Sequence, residues 1–181
     1  MKTRNLIFIV ICMLWVPATI FSQEYKVLPD NAREGKLKLS GFSGDLIIEG
    51  YSGSEIVFSS ADFTQEVPER AKGLKPVYAG GTDNTGLGLM VDKNGSEINV
   101  QCLLPFTNGA DYTVKVPENL SVHIQSECTG SGDITIKKSK GEIEISSCHD
   151  IILEEVTGGI GCNRQSGRVD AHSCCCLSQL V

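Results

Sequence analysis

Ser131-Gly132-Asp133-Ile134-Thr135-Ile136 opens a pattern that recurs as Lys140-Gly141-Glu142-Ile143-Glu144-Ile145, Cys148-His149-Asp150-Ile151-Ile152-Leu153, Thr157-Gly158-Gly159-Ile160-Gly161-Cys162 and Ser166-Gly167-Arg168-Val169-Asp170-Ala171. The first apolar positions, Ile134, Ile143, Ile151, Ile160 and Val169, are spaced nine, eight, nine and nine apart. Each unit reads as a turn followed by a very short strand with two inward side chains, because alternate residues of a strand point to opposite faces. Glycine suits such a turn because, without Cβ, it takes positive φ at little steric cost. His149 stands in its place in the third unit, where the spacing shrinks, so that turn must be built differently. Ile136, Ile145, Leu153, Cys162 and Ala171 occupy the second inward position, which places Cys162 in the core.

One short strand cannot cover its own apolar face, so units of this length bury a continuous core only by stacking. The pattern extends toward the N-terminus. Ser43-Gly44-Asp45-Leu46-Ile47-Ile48 repeats it, and Gly53 follows nine residues after Gly44 with Ile56 and Phe58 beyond. Period-two alternation also marks Lys36-Leu37-Lys38-Leu39-Ser40, Ser54 to Phe58, Gly95 to Val100 and Tyr112 to Val116. Few stretches after residue 22 carry helical spacing. The expected fold is all-β, a single-domain β-solenoid (β-helix-like) of short stacked strands. An antiparallel β-sandwich or roll competes, since periods of about 8–12 residues describe those folds too.

The N-terminus has a different character. Lys2 and Arg4 precede an apolar run from Leu6 to Phe21, and polarity begins at Ser22-Gln23-Glu24. Charge, apolar stretch and small-residue exit are the order of a signal peptide, and the run is short against the roughly 20 apolar residues of a membrane span. Cleavage near Ser22 is expected, with an uncleaved signal anchor as the alternative. Cys12 has no lipid-attachment context. The domain plan is then 1–22 signal peptide, 23–171 repeat domain and 172–181 an atypical Cys-rich C-terminal tail. Thr64 to Thr85 lacks alternation and is read as an excursion from the β core, with one helical turn expected from Pro68 to Gly73.

With 16 Lys and Arg against 22 Asp and Glu, the net charge is −6 and no basic stripe stands out. That excludes the electrostatic footprint of nucleic-acid binding. Outside the leader lie Cys102, Cys128, Cys148, Cys162 and Cys174-Cys175-Cys176. An odd number of irregularly spaced cysteines sets out no disulfide framework, although export permits bridges.

The succession Gly41-Phe42-Ser43-Gly44-Asp45-Leu46-Ile47-Ile48-Glu49-Gly50-Tyr51, then Pro68 to Pro76, then Asp83-Asn84-Thr85-Gly86-Leu87-Gly88-Leu89, resembles the DUF4097-type putative-adhesin family of exported Bacteroidetes proteins. The later Ser-Gly-Asp-Ile units are similar to that family's stacked strands, and the resemblance covers roughly Gln23 to Ala171. It implies a β-solenoid-like domain, a location in the periplasm, on the outer surface or outside the cell, and no established enzymatic activity. His172 to Val181 departs from the pattern, where another alternating strand is expected. An end without a cap invites edge-to-edge self-association.

Several motifs carry residue types used in chemistry. Cys148-His149-Asp150 has the members of a thiol triad, but adjacent strand residues point to opposite faces, so a turn is the reading. His172 with Cys174, Cys175 and Cys176 lacks the spaced pairs that let thiolates converge on zinc. His123 alternates away from the apolar side of its strand. Gly80 to Gly88 is glycine-rich, but feeds no helix and carries no Lys-Ser or Lys-Thr. Asp92-Lys93-Asn94-Gly95 lacks the later ligands of a calcium loop and reads as a hairpin turn. Asp45, Asp133, Glu142 and Asp150 share one place in the repeat and are expected to form a ladder. Paired-carboxylate chemistry on polysaccharide needs two of them about 5–10 Å apart, so a polysaccharide-active enzyme is the alternative, and a purely structural envelope scaffold a third. No catalytic, cofactor or metal residue is assigned. The leading expectation is a non-enzymatic envelope or surface protein that binds a protein or glycan, with the membrane engaged only through the signal peptide.

Overall fold

The computed structural model describes residues 23–31, 33–63, 70, 73, 77–105, 107, 109–126, 132–164, 168–172 and 177–180. The expected signal peptide lies outside them, as do four of the six residues, 68, 69, 71 and 72, of the expected helical turn. The strands are β1 Gln23–Val27, β2 Lys36–Ser40, β3 Leu46–Tyr51, β4 Ile56–Ser60, β5 Val77–Tyr78, β6 Gly81–Thr82, β7 Leu89–Asn94 and β8 Glu97–Cys102. They continue as β9 Tyr112–Pro117, β10 Ser121–Gln125, β11 Ile134–Lys137, β12 Ile143–Ser147, β13 Ile151–Glu154, β14 Ile160–Arg164, β15 Val169–His172 and β16 Leu177–Leu180. The fold is all-β.

Two seven-stranded mixed sheets carry it: sheet A in the order β1-β4-β9-β3-β11-β13-β15, and sheet B in the order β16-β14-β12-β10-β2-β8-β7. From β8 onward, consecutive strands alternate between the sheets. Units adjacent in the chain therefore do not stack on each other. Ile134 pairs with Ile151 and Ile151 with Val169 in sheet A, whereas Ile143 pairs with Ile160 in sheet B. From β10 onward, one pass through both sheets (a coil) is two sequence units, and each strand pairs parallel with the strand one such pass away. Antiparallel pairing is confined to β1–β4, β4–β9, β7–β8 and the small β5–β6 ribbon.

The stacking order also departs from chain order. In sheet B, β2 lies between β8 and β10, and in sheet A, β3 lies between β9 and β11. The coil formed by β2 and β3 is thus clasped between one that forms later, β8 with β9, and the next, β10 with β11.

The inward side chains form four rows. In sheet A, Tyr112, Leu46, Ile134, Ile151 and Val169 are in register, and beside them Val114, Ile48, Ile136, Leu153 and Ala171. Sheet B contributes Ile98, Leu37, Val122, Ile143 and Ile160, then Val100, Leu39, Ile124, Ile145 and Cys162. All except Val169 and Ala171 are buried, Cys162 at 4% exposure, as the alternation requires. Each fully buried branched side chain contributes about 1.5–3 kcal/mol of hydrophobic stabilisation. Ala171 follows the inward row yet is exposed, because nothing among the described residues covers it beyond β15.

The repeat glycines serve a purpose other than positive φ. None of Gly44, Gly132, Gly141 and Gly158 lies in the left-handed region. They sit at the corners where one coil rests on the next: a Cβ on Gly132 would lie 2.0 Å from the Gly44 carbonyl, and one on Gly158 would lie 1.9 Å from Gly141 O. The repeat needs glycine for space. Among the described residues, the non-glycine ones in the left-handed region are Lys138 and Glu155, with φ of 54° and 55°, where the chain leaves sheet A.

Candidate functional site

The acidic residues of the repeat form a ladder, though not with the membership expected. Asp45 and Asp133 immediately precede paired strands of sheet A, and the Asp133 N–H donates to the Asp45 carboxylate at 2.9 Å. The Asp45 N–H donates in turn to Asp111 at 2.8 Å, and the Arg168 N–H donates to Asp150 at 2.6 Å. Asp111, Asp45 and Asp150 thus each hold the start of the strand on the neighbouring coil. Glu142 precedes β12 and belongs to sheet B, so it stands outside this column. Asp111 was legible as a member: Ala110-Asp111-Tyr112-Thr113-Val114 repeats the order of Gly44-Asp45-Leu46-Ile47-Ile48.

Other motifs resolve into structural roles. Cys148 is disulfide-bonded, and the His149 N–H donates to Ser147 Oγ at 3.0 Å, which is how the corner lacking glycine is built. Asn94 pairs with Glu97 across the two-residue loop Gly95-Ser96, with Gly95 at φ 61°, so the hairpin reading holds. His123 faces outward on β10, and its Nδ1 lies 2.8 Å from Glu144 Oε2. Lys36 Nζ reaches the same carboxylate oxygen at 3.1 Å. These two partners, His123 first, hold the Glu144 carboxyl below its ordinary range. His172 ends β15, and residues 174–176 of the cysteine run lie outside the described residues.

The glycine-rich loop winds around an anion of its own. Asp83 is 3% exposed. Its Oδ1 accepts the N–H groups of Thr85 and Gly86 and the Thr85 hydroxyl at 2.8–2.9 Å, and its Oδ2 accepts the Gly88 N–H at 2.9 Å. The buried Tyr112 hydroxyl donates to Leu87 O at 2.6 Å, tying the loop to the core. Burial pushes the Tyr112 hydroxyl far above its ordinary value and raises the Cys102 thiol. An aspartate inside a glycine run was the available signal.

A groove open to solvent and roomy enough for a ligand lies elsewhere among the described residues, at the corners where the chain leaves sheet A. There the ends of β3, β9, β11 and β13 stack. The Glu118 N–H donates to Tyr51 O at 3.1 Å, the Lys140 N–H to Glu118 O at 2.7 Å and the Thr157 N–H to Ser139 O at 2.9 Å. Above this backbone floor is a groove of about 440 Å³, lined by Glu49, Tyr51, Glu118, Lys138, Lys140 and Glu155 with Gly50, Ser52 and Thr157. Lys138 pairs with Glu49 at 3.1 Å and Lys140 with Glu118 at 2.8 Å. The Glu49 contact raises the Lys138 ammonium above its ordinary value. The Tyr51 hydroxyl donates to Glu55 O at 2.7 Å, and its ring lies against the backbone of Gly53, where a Cβ would meet it. This holds the ring in place in the groove lining. Sequence reasoning passed over these residues, because corner side chains carry no periodicity.

No family model and no curated protein matches the chain. Solved structures similar to it include two. One is described as a "putative cell adhesion protein" from Clostridium sporogenes, with a TM-score of 0.45 and 11% identity over 83% of this chain and 98% of the other. The second, described as a "putative adhesin" from Bacteroides fragilis, has a TM-score of 0.39 and 11% identity over 83% of this chain and 71% of the other.

Proposed function

We propose that the chain is a non-catalytic, adhesin-type interaction module of the cell envelope or cell surface, a β-solenoid whose corner groove receives a glycan. Residues 1–22 serve as its export signal and are removed near Ser22, leaving a repeat domain that starts at Gln23 and runs on into the Cys-rich tail, where β16 pairs with β14. The observation that carries the reading is the groove itself. Two carboxylate–ammonium pairs, Glu49 with Lys138 and Glu118 with Lys140, line it beside an aromatic ring, on a floor of stacked backbone. Rows of paired donors and acceptors suit a polyhydroxylated ligand, and the aromatic ring offers an apolar face to a sugar, as polar groups that orient a ligand do in concave sites. The carboxylates raised by the repeat support the same reading from the other side: Asp45 and Asp150 are occupied in holding backbone.

The test is binding of the secreted protein to a panel of surface glycans, with Tyr51→Ala and Glu155→Gln as groove variants. Glycan binding lost in both variants while the fold persists supports the proposal. Binding that ignores the groove overturns the site. Turnover of a polysaccharide would move the protein to the enzyme reading, and binding only to partner proteins would replace the ligand class. A mature chain that still begins at Met1 would remove the export step.

A further inference from the structure

The groove at the sheet A corners brings three carboxylates, Glu49, Glu118 and Glu155, against two ammonium groups, Lys138 and Lys140. Two of the carboxylates are matched. Glu49 takes Lys138 at 3.1 Å, and Glu118 takes Lys140 at 2.8 Å. Glu154, the chain neighbour of Glu155, is held by Lys137 at 3.1 Å. Glu155 itself makes no salt bridge among the described residues, and it is exposed. Its field acts on the Lys138 ammonium only as the last of several influences, behind the direct hydrogen bond to Glu49. The groove therefore keeps one negative charge without a cation of its own. β3, β11 and β13 are consecutive in sheet A, so the corners of Tyr51 and Glu155 stand two strand spacings apart, about 10 Å.

We propose that the glycan received by this groove is a free-amine sugar oligomer, one ring of which lies on Tyr51 while an ammonium pairs with Glu155; the inference rests on the glycan reading above. A trisaccharide reaches from one corner to the other. Along the way the two closed pairs serve hydroxyl groups, since each carboxylate accepts and each ammonium donates. Charge decides the class of sugar. Lys138 and Lys140 already have their carboxylates, so a uronic acid or a sulfated sugar gains a partner only by breaking a pair, and it meets Glu155 as a like charge. N-acetylation replaces the ammonium by a neutral amide and leaves the Glu155 charge to water, as a plain hydroxyl does. The exposure of Glu155 bounds the effect, because solvent screens the pair. What the residue confers is discrimination between sugars of similar shape more than raw affinity.

The experiment is calorimetric titration of the secreted protein with the glucosamine trimer, its N-acetylated form and the glucose trimer, with circular dichroism to verify the fold of each variant. The glucosamine trimer should bind about three- to fivefold more tightly than the other two, the worth of an exposed ion pair. That margin should shrink with added salt and vanish when the pH is raised until the amine loses its proton. Glu155→Gln should weaken the glucosamine trimer by at least the same factor, whereas Glu155→Asp, which keeps the charge, should preserve the order of the three sugars. Equal affinity for the three trimers, or a preference for the N-acetylated form, overturns the amine assignment and leaves the glycan reading standing. A preference for the amine that survives Glu155→Gln overturns it as well. Failure to bind all three also overturns it, and failure on the whole panel of surface glycans brings down the glycan reading with it.

Discussion

The Asp45 carboxylate accepts the N–H of Asp133 at 2.9 Å, across 88 residues of chain. One coil thereby holds the start of the strand that stacks upon it, and Asp111 does the same for Asp45 at 2.8 Å. The repeated acidic position is an instrument of coil stacking.

Replacing Asp45 by alanine removes that acceptor and leaves the Asp133 N–H to water. The loss resembles that of a helix cap, and a drop of about 1 kcal/mol in unfolding free energy is expected by urea titration. Asp83→Ala should cost more, about 3 kcal/mol or above, because four donors surround the buried carboxylate and burial denies most of them a substitute.

The corner glycines separate a packing requirement from a conformational one. Gly132→Ala drives a methyl into the Gly44 carbonyl, and overpacking against backbone should cost about 3 kcal/mol or prevent folding. Gly159→Ala meets nothing within 4 Å and should change the urea midpoint by about 1 kcal/mol or less. Equal effects at the two sites would refute the stacking account.

Truncating Ile136 to alanine opens a cavity in a row flanked by Ile48 and Leu153. A loss of about 2–5 kcal/mol is expected, read as a fall in the urea midpoint with an unchanged slope.

The Glu144 cluster fixes a sign for acid behaviour. Its folded pKa is depressed from the ordinary 4.5 by His123 and Lys36. The stability it confers is thus present above that ordinary value and lost as pH falls through the lower folded one. Glu144→Gln should flatten this part of the acid limb. The effect is small, because the side chain is 57% exposed and solvent screens the pair.

The buried cysteine Cys102 has a thiol raised first by desolvation. It should resist alkylation in the native protein and react on unfolding, which mass spectrometry after a reagent pulse would record.

Much of this architecture is written in local pattern. A strand shows only two faces, so period-two alternation alone marked β2, β8 and β9 and sent Cys162 inward. The eight- to nine-residue spacing likewise marked β11 to β15, whereas β16 lies in the tail that departs from the pattern. What pattern could not decide was which strand meets which. Ile134 and Ile143 look like neighbours in sequence, but the corner at Lys138 takes the chain from one sheet to the other, and Ile134 instead meets Ile151. Nor did any residue announce that β2 and β3 would be clasped between coils formed later, since that order depends on long-range pairing. The groove at Tyr51, Glu118, Lys138 and Glu155 follows from this stacking alone: its members are far apart in the chain and come together only when four corners lie one above another. Local sequence determined which side chains are inward, because the backbone imposes alternation residue by residue. Only the tertiary structure decided what they face, because that is set by the packing of coils.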